Sequence, residues 1–122
     1  MDRTFAAIGG VSAFVAVAAG AFGAHLLRGR ISADLLAVFE TGARYQMYHA
    51  LALLAVAVAA THWPTSFVRG AGWLFLIGTF LFSGSLYLLA LTDTRWLGAV
   101  TPFGGLCLLA GWLSFAVGAA RG

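Results

Sequence analysis

The chain has no lysine, and charged residues of any kind are scarce. Four acids and seven arginines are its only charges, so 9% of the 122 residues are charged, where an ordinary soluble domain carries about 25%. With 61% of residues hydrophobic and a mean hydropathy of +0.94, the chain has too few polar groups to cover a water-facing surface, so lipid must cover much of it. The same scarcity excludes a nucleic-acid partner. The net charge of +3 comes from arginines placed singly at the ends of apolar runs, with no basic patch. One cysteine is present, Cys107, so there is no internal disulfide and no redox compartment to read. Gly-x-Ser-x-Gly, a phosphate loop and His-Glu-x-x-His are all missing. So are Cys-x-x-Cys, Cys-x-x-Cys-His and His-x-x-x-His. No catalytic constellation, no cofactor and no metal site is therefore expected: His25 and His49 have no third and fourth ligand in motif spacing.

What the chain does have is long apolar runs. The first covers residues 5–27 without an internal charge. It is long enough to cross the hydrocarbon core, which takes about 20 helical residues, and longer than the apolar stretch of about 7–15 residues in a cleaved signal peptide. Further spans are expected at 45–62, 71–92 and 96–120. Trp63-Pro64 ends the second, because proline cannot continue the helical ladder and tryptophan favours the headgroup level. The short connection Thr92-Asp93-Thr94-Arg95 makes the third and fourth a tight antiparallel pair, and Pro102 falls in the first turn of the fourth, where a helix tolerates it. Between the first two spans a short amphipathic interfacial helix is expected over 32–41, with Ser32 as N-cap and Asp34 in its first turn. Gly42 either breaks it from the second span or lies within one continuous bent helix. The expectation is a single all-α membrane domain over residues 1–122, an antiparallel four-helix bundle with both termini on one side. Arg3, Arg69 and Arg121 on one side against Arg28, Arg30, Arg44 and Arg95 on the other do not set its orientation.

Small residues recur at helical spacing. Ser12, Ala16, Gly20 and Ala24 share one face of the first span, Ser83-Gly84-Ser85 sit within the third, and Thr101, Gly104, Cys107, Gly111, Ser114 and Gly118 run along the fourth. Small-residue faces allow helix backbones to approach closely in lipid, so Gly20, Ala24, Ser83, Gly84, Gly104, Gly111 and Gly118 are expected at helix contacts. The polar side chains gather at one membrane face. His25, Glu40, Arg44, Tyr45, Gln46, Tyr48, His49 and Asp93 form the candidate cluster, with Glu40 four residues before Arg44 in the order that favours a helical ion pair. Such a cluster reads as a headgroup anchor or as a functional polar pocket.

Four stretches together resemble one family. Gly20-Ala21-Phe22-Gly23-Ala24-His25, Tyr45-Gln46-Met47-Tyr48-His49-Ala50-Leu51-Ala52-Leu53, Phe82-Ser83-Gly84-Ser85-Leu86-Tyr87 and Thr101-Pro102-Phe103-Gly104-Gly105 look like the signature blocks of the domain of unknown function 423 family, which is similar to transmembrane protein 256 of animals. The resemblance covers nearly the whole chain and implies a four-helix integral membrane protein, in bacteria one of the inner membrane. It implies no reaction. The leading expectation is a multi-pass membrane protein without enzymatic activity, an accessory or structural component whose partners are the lipid bilayer and either other membrane proteins or copies of itself. The alternative is a small oligomeric transporter or channel entered through the polar cluster, since four short helices leave little room for a path in a monomer.

Overall fold

The computed structural model describes residues 3–122; Met1 and Asp2, counted in the expected single domain, lie outside them. Four long helices carry the chain, and there is no strand among the described residues. They are α1 (Arg3–Leu27), α2 (Ala33–His62), α3 (Ser66–Thr92) and α4 (Thr101–Arg121), the last preceded by a 3-10 turn at Arg95–Ala99. By length and composition α1, α3, and α4 together with its preceding turn are each apolar enough to cross a membrane. Their boundaries follow local chemistry. Ser32 Oγ accepts from the Leu35 N–H at 3.2 Å, and Thr65 Oγ1 accepts from the Val68 N–H at 3.3 Å, so α2 and α3 each open on a side-chain cap. Asp93 closes α3 in the left-handed conformation, with φ of 53°, a geometry that aspartate tolerates better than most residues.

The segment expected as a separate interfacial helix is instead the beginning of α2, which is continuous over 30 residues. Gly42 does not break it. It is buried, and a Cβ there would lie 3.1 Å from the Tyr87 ring. Its carbonyl also accepts a 2.7 Å bond from Ser83 Oγ. Glycine at this point makes a helix crossing rather than a helix end.

α2 and α3 form the centre of the bundle, α1 packs along α2, and α4 packs along α3. Each neighbouring pair is antiparallel, as shown by Gly9 against Ala50 and Gly23 against Phe39, and by Gly104 against Phe82 and Gly118 against Val68. α1 also touches α3 near the terminal face, where the rings of Phe5 and Trp73 meet edge-on at 5.3 Å. The central position of α2 explains why it tolerates Gln46 and His49. Thirteen of its residues are buried, against four in α1, so neighbouring helices rather than lipid meet its polar groups.

The α3–α4 interface is the closest approach. Gly104, Gly111 and Gly118 all face α3 and are buried. A Cβ on Gly111 would lie 2.8 Å from the Phe75 ring and one on Gly118 2.6 Å from Val68 Cγ2, while one on Gly104 would strike the Phe82 backbone. Packing of this kind replaces the hydrophobic drive that is absent between helices in lipid. Gly84 behaves differently, because a Cβ there meets nothing within 4 Å. α1 departs from simple helical register: residues Ala18–Gly23 are π-helical. This wider turn leaves Ala16 and Ala24 buried but turns Gly20 outward, with only an ordinary 3.6 Å contact to Ala43.

Gly104→Ala is expected to destabilise the folded protein by about 1–3 kcal/mol, the usual cost of overpacking, whereas Gly84→Ala is expected to be neutral or stabilising, since alanine is the better helix former. Thermal unfolding of both variants in one detergent checks the contrast; equal effects would count against the assigned interface.

Candidate functional site

Two apolar clusters divide the bundle along its length. The larger holds Phe5, Leu53, Val56, Val68 and Phe75, towards the terminal face. The smaller, around Ala24, Phe39 and Ala90, lies towards the opposite face. Between them, at mid-depth, a tier of hydrogen-bonded polar side chains joins all four helices.

One part links α1, α2 and α3. Gln46 Nε2 donates to Ser12 Oγ at 3.2 Å, and Tyr87 OH donates to Gln46 Oε1 at 2.6 Å. A second part links α2 and α4. Trp112 Nε1 donates to His49 Nε2 at 3.0 Å, while His49 Nδ1 lies 2.8 Å from the Tyr45 carbonyl. Because the indole N–H is only a donor, Nε2 must accept, and the proton of the neutral ring sits on Nδ1. Both ring nitrogens are thus engaged. A third part binds α3 to α4, where the hydroxyls of Ser85 and Thr101 meet at 2.6 Å. Gln46, His49, Ser83 and Ser85 are the buried polar residues among those described.

The sequence cluster separates across this tier. Gln46 and His49 turn inward; Arg44, Tyr45, Tyr48 and His25 are exposed, and Glu40 is half-buried. Neighbours on a helix point about 100° apart, so a contiguous polar run cannot share one site. Tyr45 stacks near His49, with ring centroids 6.5 Å apart and planes 15° apart, and meets Tyr48 edge-on at 5.5 Å. Glu40 and Arg44 line one shallow groove of 360 Å³ beside α1, yet no ion pair joins them among the described residues. Asp93 belongs to a different group, pairing with Arg95 at 2.7 Å on the exposed turn before α4. No group of three or more metal-ligating side chains forms among the described residues. Of the expected contact residues, Ala24, Ser83, Gly104, Gly111 and Gly118 are buried, Gly84 is half-buried and Gly20 exposed.

Trp112 is the residue that spacing did not single out. Its signal was its position: tryptophan favours the interface, and one in the middle of a span needs a partner for its N–H.

Two lateral grooves flank the tier, each of 490 Å³. One lies between α1 and α3, with Gln46 at its floor. The other lies between α2 and α4, lined by Tyr45, His49, Phe82 and Trp112.

A family described as protein of unknown function (DUF423) matches residues 19–105, a stretch that runs from the π-helical part of α1 to the first turn of α4 and holds Gln46, His49, Ser85, Tyr87 and Thr101 of the polar tier but neither Ser12 nor Trp112. The chain belongs to the DUF423 family. A UPF0382 membrane protein of Staphylococcus saprophyticus is 45% identical over 116 residues, 95% of this chain and 96% of the relative. The UPF0382 membrane protein YwdK of Bacillus subtilis is 44% identical over 120 residues, 98% of each chain. The UPF0382 inner membrane protein YgdD of Escherichia coli K12 is 45% identical over 117 residues, 96% of this chain and 87% of the relative. No solved structure matches the chain. This DUF423 protein is accordingly a multi-pass protein of the cell membrane.

The His49–Trp112 bond is testable as a coupling. In a double-mutant cycle of His49→Leu and Trp112→Phe, a coupling energy of about 0.6–1.7 kcal/mol is expected, the range found for interhelical side-chain bonds in membranes. Strictly additive losses of unfolding free energy would show that the pair does not interact.

Proposed function

We propose that this DUF423 protein is a non-enzymatic, accessory component of the membrane that works by helix association with a larger membrane assembly. The observation that carries this reading is the outer face of α1. α1 buries four residues, as α4 does and fewer than α2 and α3, and its outward side forms a shallow depression lined by Gly10, Phe14, Ala18 and Phe22. A Cβ on Gly10 meets nothing within 4 Å, whereas Phe14 is 74% and Phe22 68% exposed. Ridges of aromatic side chain flanking a small-residue hollow fit a partner helix of the same pattern. The reactive-type groups inside support the same view: His49 has both ring nitrogens engaged, and Ser83 and Ser85 are bonded to neighbours.

A second reading, a small oligomeric transporter, draws on the Glu40–Arg44 groove, which opens beside α1 at the face opposite the termini. It requires the groove to continue across a subunit interface. His49 is not part of that entrance, because it faces α4.

Tagged protein captured from native membranes in mild detergent is expected to bring down a defined set of membrane proteins, and Gly10→Trp, which fills the hollow, is expected to reduce that recovery at unchanged expression. Recovery of the protein alone as a monomer would sink this reading; recovery as a homo-oligomer alone would favour the transporter.

A further inference from the structure

Glu40 and Arg44 stand one turn apart on α2 in the order that favours a helical ion pair, yet each is without a hydrogen bond or ion pair among the described residues. Both line the 360 Å³ groove between α1 and α2, where Arg44 is exposed and Glu40 half-buried. No other charged residue lines it, and the remaining walls are apolar and mostly small, with Ala16, Ala21 and Ala43 among them. The π-helical turn Ala18–Gly23 supplies Gly20, which is exposed and keeps the hollow open: a Cβ there would make only an ordinary 3.6 Å contact with Ala43.

The two charges lie at different depths. α1 covers 25 residues and ends at Leu27. It is about 37 Å long at 1.5 Å per residue and overruns a hydrocarbon core of about 30 Å by about 4 Å at each end. Gly23, one turn before that end, packs against Phe39. Glu40 therefore lies a few ångströms inside the core, and Arg44, one turn further along α2, about 10 Å inside. An arginine at that depth reaches towards the surface and draws a counter-charge inward, and a carboxylate beside it needs a cation in turn. The charges of the groove sum to zero. An anion would satisfy Arg44 but be repelled by Glu40, whereas a zwitterion satisfies both. Arginine takes a phosphate bidentately, and a carboxylate accepts N–H bonds from a primary ammonium. A quaternary ammonium has no N–H to give and is held by aromatic faces, none of which lines this groove. The order along the membrane normal fits as well. In a phospholipid the phosphate is joined to the glycerol and the ammonium lies beyond it, nearer to water, just as Glu40 lies nearer to water than Arg44. Deeper still, Met47 lines the groove and Leu51, 54% exposed, continues the same helix face, an apolar strip for an acyl chain. We propose that the α1–α2 groove binds one glycerophospholipid with a phosphoethanolamine head, its phosphate on Arg44 and its ammonium on Glu40. The site goes beyond the association proposed above and is tested without any partner protein.

The test titrates the purified full-length protein in mild detergent with phosphatidylethanolamine, phosphatidylcholine and phosphatidylglycerol of identical acyl chains, and reads bound lipid by native mass spectrometry. One phosphatidylethanolamine is expected to bind about tenfold more tightly than either of the others, the worth of one charge-assisted hydrogen bond. Arg44→Gln should weaken that binding about tenfold for the same reason. Gly20→Leu fills the groove from a position that meets only an ordinary contact, so it keeps the fold and should lower binding without altering a charge. Glu40→Lys leaves two cations in the groove and should turn the preference to phosphatidylglycerol. A switch of preference does not arise from unfolding, so this variant decides the matter even where another fails to fold. Equal binding of the three lipids, undiminished binding in Arg44→Gln or Gly20→Leu, an unchanged preference in Glu40→Lys, or binding of soluble phosphoethanolamine as tight as that of the lipid would each overturn the proposal.

Discussion

The bond from Trp112 to His49 reaches across the bundle between two helices whose backbones otherwise stay apart. α1 and α4 flank the central pair without packing on each other, which leaves the arrangement open on two sides. A directional bond at 3.0 Å fixes the rotation of α4 about its own axis, because sliding or turning α4 would strand an indole N–H and an imidazole nitrogen in a medium with no water to replace them. The aromatic surroundings reinforce it: Phe75 lies 4.7 Å from the Trp112 ring and 5.5 Å from that of His49. One histidine therefore sets the position of two helices, through α2 on which it sits and α4 that it holds.

That bond depends on a close approach elsewhere. Trp112 follows Gly111, and Gly111 allows α4 to lie against Phe75 with no Cβ between them. A larger residue would push α4 outward and move the indole beyond reach of His49. The glycine seam and the polar tier are thus one device. The seam sets the separation of the helices, and the tier sets their rotation and depth. In lipid, where no hydrophobic force draws apolar helices together, geometry of this kind carries the specificity.

Much of the architecture was legible in the sequence because the bilayer restricts what an apolar chain of this length does. Four helices, their antiparallel order and the α4 seam of Gly104, Gly111 and Gly118 all follow from run length and spacing. Two features did not. Gly42 reads as a break in sequence, but the Tyr87 ring and the Ser83 hydroxyl that occupy the space over it come from a helix forty residues away, and local sequence carries no trace of them. The candidate site was half legible. Position along the chain suggests one membrane face for His25, Arg44 and His49, but α2 begins at Ala33, which carries His49 to mid-depth, and helical rotation sends Gln46 and His49 inward while Arg44 and Tyr48 stay outside. The π-helical turn in α1 erased a further inference, since a four-residue spacing no longer marks a single face once one turn is widened.

The continuity of α2 has a consequence for how the protein sits in its bilayer. At 30 residues the helix is about 45 Å long, well beyond the hydrocarbon thickness of about 30 Å. An isolated helix of that length with an apolar surface would tilt or thicken the membrane around it. α2 escapes this, because α1 and α3 shield its middle and its first turns carry Asp34, Glu40 and Arg44. The bilayer thickness the protein demands is therefore set by its outer helices, while α2 acts as a mast rising through them and lifting a small charged platform to headgroup level on one side of the membrane only.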